Sequence, residues 1–536
     1  MGELRVSKLI KETLRIYDRT QIEATLSLGM KPRVGEKRIV PKRYSAEFFF
    51  RFPNQMNINR RTFPIETFYR QINSYIRFRE PKLSYKAMIG FGDYREASGI
   101  HRIRQYLESC IRGELQESPE IEVDAARIFG CSFYSFYERK FSRNLARLAE
   151  APGYDEARVE RTLYYLDRLH AILEEWRELV RGFDPIPKSL LINLRSEVVW
   201  VDEYCSYIFR DAIFETLEAL DEMKSRDPKG EYGGAFDRVL AYCRLEHGYA
   251  SKAGFYWCHH DQPLETIQKY LYRRDALKRR IWACLYLQHS RKPIHRLQKQ
   301  LGPMLAAAFA GAWAVVVSIA IGVDIIRDAQ GVWSLNVALL VMVFTVSYVL
   351  KDRIKEWGRS KFSSGLLGKV PDSSEKIFYQ IPGVAKSSKR VGDLFESAHY
   401  LTTESVPSDV RGVFDKSPID LDSYEDRVIL RYSKRIDLHR RSVAKLHGKL
   451  KRIHDIMRLN ISPLLQSIGD PIQSLILPQG SRLERAEIKK FYRIHLVIKV
   501  TPQLIGGGST KPYLRGYEIF INKNGLHQIQ PLDEPG

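Results

Sequence analysis

Apolar and polar positions alternate most clearly at two places far apart in the chain. Tyr44, Ala46, Phe48, Phe50 and Phe52 share one face with Glu47 and Arg51 on the other, and Ile494, Leu496, Ile498 and Val500 repeat the pattern. A period of two is that of a half-buried strand. Tyr517, Ile519 and Ile521 also alternate and lead into Asn522-Lys523-Asn524-Gly525, where Asn-Gly predicts a tight hairpin with Leu526 to Leu532 returning. Arg427 to Leu438, Leu83 to Phe91 and the aromatic-rich run Ile128 to Tyr137 are the other expected strands.

Helical spacing begins after Pro64, with Ile65, Phe68, Ile72 and Ile76, and recurs from about His101 to Arg112. Beyond residue 150 it dominates. Asp155 is placed to cap a helix whose Val159, Leu163, Leu166, Leu169, Leu173, Trp176 and Val180 recur every three or four residues, with Gly182 ending it. Ser196 starts a second, with Val201, Cys205, Ile208 and Ala212 on one stripe, and Phe236 to Ala250 form a third. A strongly basic helix begins at Pro263 and is expected to bend at Pro293. Another basic helix is expected between Leu438 and about Ile468.

Two runs break both patterns. Pro303 to Val323 holds no charge across 21 positions and Trp333 to Leu350 none across 18, with only Asp324 to Val332 between them. As helices they would measure roughly 32 and 27 Å, close to the bilayer's hydrocarbon thickness of about 30 Å. They predict a transmembrane hairpin. Ten Lys or Arg against Asp275 lie between Lys269 and Lys299, and six bases against two acids between Lys351 and Lys369. That bias puts both termini on the cytoplasmic side, with Trp333 and Tyr348 at the lipid interface. Ala306, Ala310, Ala314, Ser318 and Gly322 recur every fourth residue and form a small-residue face for packing against the other span or a second copy of the chain.

The expected fold class is therefore an α+β multidomain membrane protein. It comprises an N-terminal α+β domain (1–150), a cytoplasmic helical region (151–300), the transmembrane helical hairpin (301–352), a Ser/Gly/Lys-rich linker (353–418) and a C-terminal α+β domain (419–536). The start, MGELRVSKLIKETLR, has no apolar stretch of the kind a cleaved secretory signal needs.

Charge changes this picture by naming a class of partner. The 536 residues carry 85 Lys or Arg and 64 Asp or Glu, a net charge of +21, with 44% of positions hydrophobic. Such an excess favours polyanions, here the lipid bilayer with its anionic headgroups, and it keeps nucleic acid as a partner. The residues expected to make these contacts are Arg273, Arg274, Lys278, Arg279 and Arg280 before the first apolar run, and Arg431, Lys434, Arg435, Arg440, Arg441, Lys449, Lys451 and Arg452 near the C-terminus.

Motifs for chemistry are sparse. Cys258-His259-His260-Asp261 lacks a second cluster at ligand spacing, so it is read as structural and no metal is expected. The six scattered cysteines form no C-x-x-C pair and are expected to be reduced thiols. Gly90 and Gly92 fit a turn, and Gly506-Gly507-Gly508-Ser509-Thr510-Lys511 fits a hairpin loop rather than a phosphate loop. No cofactor motif and no catalytic set is present. The leading expectation is a membrane-anchored scaffold, sensor or adaptor with basic surfaces. An oligomeric pore and an enzyme acting on nucleotide, nucleic acid or lipid headgroup are the alternatives, and a pocket of converging bases with an acid would favour the last.

Overall fold

The structure is a computed structural model. It describes residues 10–29, 43–114, 119–151, 155–187, 191–224, 232–258, 261–293, 371–379, 389–416, 428–439, 452–479, 482–503 and 512–532, with 304, 307–316, 319, 342, 345–353 and 356.

One antiparallel sheet of twelve strands organises the chain. Its members are β1 (Ile10–Ile16), β2 (Gln21–Gly29), β3 (Arg43–Arg51), β4 (Ile72–Phe78), β5 (Tyr286–Pro293), β6 (Ser373–Tyr379), β7 (Lys389–Leu401), β8 (Ile429–Leu438), β9 (Arg452–Asn460), β12 (Tyr492–Gln503), β13 (Tyr513–Asn522) and β14 (Gly525–Pro531). The spatial order is β1-β2-β9-β4-β5-β6-β7-β8-β3-β12-β13-β14. The sheet curls into a nearly closed barrel because its two ends meet: the Leu526 amide donates to the Arg19 carbonyl at 2.8 Å. Gly525 is required at that corner, since a Cβ there would lie 2.3 Å from the same carbonyl oxygen. A separate ribbon, β10 (Ile472–Gln479) with β11 (Arg482–Lys489), stands apart from the sheet.

Alternation decides which side chains face inward. Tyr44, Ala46, Phe48 and Phe50 on β3 lie opposite Ile436, Lys434, Tyr432 and Leu430 on β8, and all eight are buried. Polar groups enter the same interior only in partnership. Lys434 is 1% exposed and bonds Asp455 of β9 and Ser74 of β4, while the Tyr44 hydroxyl donates to Asp455 at 3.1 Å. His289 of β5 meets Glu375 of β6 at 2.6 Å, and Tyr432 donates to Glu396 of β7.

Eight helices pack against one another as a layer beside the sheet: α2 (Tyr85–Ile89), α3 (Gly99–Ile111), α4 (Glu120–Phe136), α5 (Arg143–Ala149), α6 (Glu156–Arg181), α7 (Ile192–Lys224), α8 (Tyr232–Ala253) and α9 (Leu264–Trp282), whereas α1 (Ile65–Gln71) sets Phe68 against Phe50 and Tyr432 of the barrel. Asp155 caps α6 by accepting from the Arg158 amide, and Gly90 ends α2 in the left-handed conformation. Trp176 of α6 stacks on Phe129 of α4 with centroids 4.2 Å apart. Tyr379 of β6 joins layer to barrel by donating to Asp124 of α4 at 2.8 Å.

Several expectations are corrected. The α+β multidomain membrane architecture gives way to one barrel-like sheet whose strands come from both ends of the chain, so the two α+β ends share a sheet. Two transmembrane spans with both termini cytoplasmic are not supported either: among the described residues, no helix is long and apolar enough to cross a membrane. Helix is described at 307–316 in the first apolar run and from 345 to 353 across the end of the second. The runs fall in the connection between β5 and β6, which leaves the sheet at Pro293 and returns beside it at Ser373.

Other differences are local. Ile128 to Tyr137 is helix rather than strand because α4 is buried nearly all round, and such helices carry no amphipathic period. Leu83 to Phe91 contains α2. The helix after Pro64 stops at Gln71, and Ile72 and Ile76 belong to β4. The second basic helix is replaced over Arg452–Asn460 by β9, and the expected tether contains β6 and β7. The Gly506 to Lys511 loop lies outside the described residues.

Candidate functional site: a basic cleft beside the barrel

The outer face of the barrel is built from the positions that alternate with the core. In β1 these are Thr13 and Arg15; in β2, Glu23 and Thr25; in β9, His454, Ile456 and Arg458; in β4, Tyr75 and Arg77. Hydrogen-bonded register lines them up, so Arg15, Glu23 and Arg458 form one row across three strands. Facing them, the last turn of α9 presents Lys278, Arg279 and Trp282, and Tyr286 opens β5 immediately after. Between the two walls lies a cleft of about 790 Å³.

Five permanent bases line it, Arg15, Arg77, Lys278, Arg279 and Arg458, against a single carboxylate, Glu23. Glu23 is already shared, accepting from Arg15 at 2.6 Å and Arg458 at 2.7 Å. Arg77 bonds Glu80 outside the cleft at 2.9 Å. Lys278 and Arg279 are exposed and form no ion pair among the described residues. Like charges held in one concavity repel, and an anion between them reverses that repulsion.

Aromatic rings interleave with these bases. The Arg458 guanidinium lies 3.7 Å from the Tyr17 ring centre and Arg77 5.3 Å from that of Trp282. Tyr286 meets Tyr75 edge to face at 6.4 Å. Tyr17 is 47% exposed, and Tyr75 and Tyr286 are 37% exposed, so each leaves a ring surface open.

At the cleft wall stands His454. Burial, followed by Arg77, pushes its imidazole down to about 4, with Arg79 and Arg452 adding to the effect and Glu80 opposing it. It is therefore neutral at physiological pH, and its Nε2 has no hydrogen-bond partner. Ser27, opposite it on β2, is buried with an unpartnered Oγ.

The structure brings together three of the basic residues singled out from sequence: Lys278 and Arg279 in the cleft and Arg452 at its edge. The others are committed elsewhere. Arg273 bonds Glu203 at 2.5 Å, Arg274 bonds Asp211 at 2.5 Å, and Arg280 bonds Glu197 at 3.0 Å while lying 3.8 Å from the Trp200 ring. Arg431 pairs with Glu47, Lys434 is sealed in the barrel, and Arg435 lies 4.3 Å from the Phe395 ring. Arg440, Arg441, Lys449 and Lys451 fall outside the described residues, as do Ala306, Ser318 and Gly322; of the small-residue face, Ala310 is buried and Ala314 half-buried. His454 and Arg458 belong to the basic run Arg427 to Arg458 that the sequence offers for phosphate contact, whereas nothing local marks Arg15, Tyr17, Glu23, Arg77, Trp282 or Tyr286. Alternation within each strand was the available signal, but it gives no pairing.

His259 and His260 lie outside the described residues, and among the described residues no cluster of His, Cys, Asp or Glu could hold a metal. All six cysteines are unpaired thiols, with Cys131, Cys205 and Cys284 buried. No protein family, curated protein or solved structure matches the chain.

Proposed function

We propose that this protein binds phosphate-bearing anions, and nucleotides in particular, in the cleft between α9 and the outer face of β1, β2, β9 and β4. The observation that carries this reading is the excess of five bases over one carboxylate in a single concavity. Its size falls in the range of ligand sites, roughly 300–1,000 Å³. Guanidinium groups from Arg15, Arg77 and Arg458 and the Lys278 ammonium would take the phosphates through charge-assisted hydrogen bonds. Tyr17 and Tyr286 would offer ring faces to the base.

The neutral His454 is a further polar residue at the wall. An anionic lipid headgroup shares the phosphate but brings no planar ring to the tyrosines.

Binding of a fluorescent ATP analogue to the full chain tests this reading, with phosphatidylserine vesicles as competitor. Binding should weaken as salt rises and fall at least about tenfold in the Lys278→Glu/Arg279→Glu variant, since each lost charged hydrogen bond is worth about 1.5–3 kcal/mol. Unchanged affinity in the variant, or vesicles bound while nucleotide is ignored, would overturn it.

A further inference from the structure

The bases do not stop at the mouth of the cleft. One step along the β4–β9 pair from Arg77 and His454, the Arg79 amide donates to the Arg452 carbonyl at 2.9 Å, which sets these two arginines side by side. Three residues on, Lys82 is exposed. Next to it the Arg139 side chain is pinned, donating to the Leu83 carbonyl at 3.3 Å and to the Ser135 carbonyl at 3.0 Å. Arg143 follows at the start of α5, four residues later and exposed.

These five bases, Arg79, Lys82, Arg139, Arg143 and Arg452, have two acids among them. Glu80 is held by Arg77 at 2.9 Å and lies 4.0 Å from Arg79, and Glu138 is exposed. Among the described residues Lys82, Arg139, Arg143 and Arg452 form no ion pair. They also feel one another. Partial burial, then Arg79, Arg139, Arg452 and Arg143, holds the Lys82 ammonium below its usual range. A crowd of like charges with so little internal compensation is stabilised by an external polyanion.

We propose that the cleft and this rim form one continuous track, and that its occupant is a single-stranded nucleic acid several nucleotides long. The inference rests on the cleft's reading as a nucleotide site. A chain of phosphates is the chemistry that fills both halves, whereas one nucleotide would leave the rim bare. The exposed rings of Tyr17, Tyr75 and Tyr286 select a strand whose bases are unstacked, because base faces are hidden within a duplex. Acidic peptides lack such rings in register with their charges, and a flat lipid surface meets the rim but does not enter a cleft.

The test is fluorescence anisotropy of the full chain with labelled oligothymidylates and oligouridylates of two, four, eight and twelve nucleotides, a hairpin duplex, and phosphatidylserine vesicles. Affinity should rise at least about tenfold from the dinucleotide to the octamer and then level off, since such sites span about 4–16 nucleotides. For the octamer, the Lys82→Ala/Arg143→Ala variant should lose most of that gain. Its slope of log affinity against log salt should be shallower by about 1.4, at about 0.7 per phosphate contact. An octamer binding no tighter than a dinucleotide that does bind overturns the track and leaves the cleft intact; absence of binding by either overturns both. Duplex or vesicles bound as tightly as single strands also overturn the proposal.

Discussion

Glu12 should make the barrel's closure depend on pH. It lies on β1 opposite Leu26 and is 4% exposed. Burial pushes its carboxyl from an ordinary 4.5 up to about 7, while the Tyr517 hydroxyl and Arg515 on β13 offset part of that rise. The folded state therefore holds this proton more tightly than the unfolded state. The stability it contributes is fully present below about pH 4.5 and is lost as pH rises through about 7. A shift of about 2.5 pKa units corresponds to about 3 kcal/mol.

Glu12→Gln keeps the shape and removes the charge. Urea unfolding of both proteins at pH 5, 6.5 and 8 isolates the effect, because every other titrating group cancels in the difference. The variant should match the wild type at pH 5 and exceed it by about 3 kcal/mol at pH 8. Parallel pH profiles for the two proteins would refute the reasoning. The seam also bears on function, because β1 carries Arg15 on its outer face and Tyr17 follows directly. Nucleotide affinity of the wild type, and not of the variant, should gain an extra loss above pH 7.

Four further outcomes are expected. Lys434→Met should destabilise by about 3–5 kcal/mol in denaturant by leaving Asp455 buried without its cation, and adding Asp455→Leu should recover most of that. Glu197→Gln should cost several kcal/mol, since Arg127 is buried on it at 2.7 Å, whereas half-exposed Arg280→Ala should cost about 1 kcal/mol or less by thermal melting. Glu23→Gln frees Arg15 and Arg458, so nucleotide affinity measured by anisotropy should rise severalfold. Bound phosphate should raise the His454 pKa from about 4, so binding should take up a proton and tighten from pH 7 to pH 5, as calorimetry in two buffers of different ionisation enthalpy would show.

What the sequence made legible follows from range. Short-range signals located β3, β8, β12, the β13–β14 hairpin and α6 with its Asp155 cap, because each is written in consecutive residues. β9 was hidden by a local conflict: Ile453, Met457 and Leu459 alternate inward, but Asp455 occupies an inward position and acquires meaning only beside Lys434. Its placement between β2 and β4 joins residues more than 370 positions apart. Hydropathy is a local signal, so the apolar runs after Pro303 stand out in the sequence, whereas the barrel is made of distant pairings. The cleft shares that difficulty. Lys278 and Arg279 stand out in a charge run, but Arg15 and Arg77 are ordinary strand residues until register lines them up.

Photocrosslinking offers the most direct measurement of the cleft. The full chain would be irradiated with a 4-thiothymidine octamer and the adducts mapped by mass spectrometry. Adducts should concentrate on Tyr17, Trp282 and Tyr286 and be competed by unlabelled single strand. Adducts confined to other surfaces, or none at low salt, would contradict the assignment.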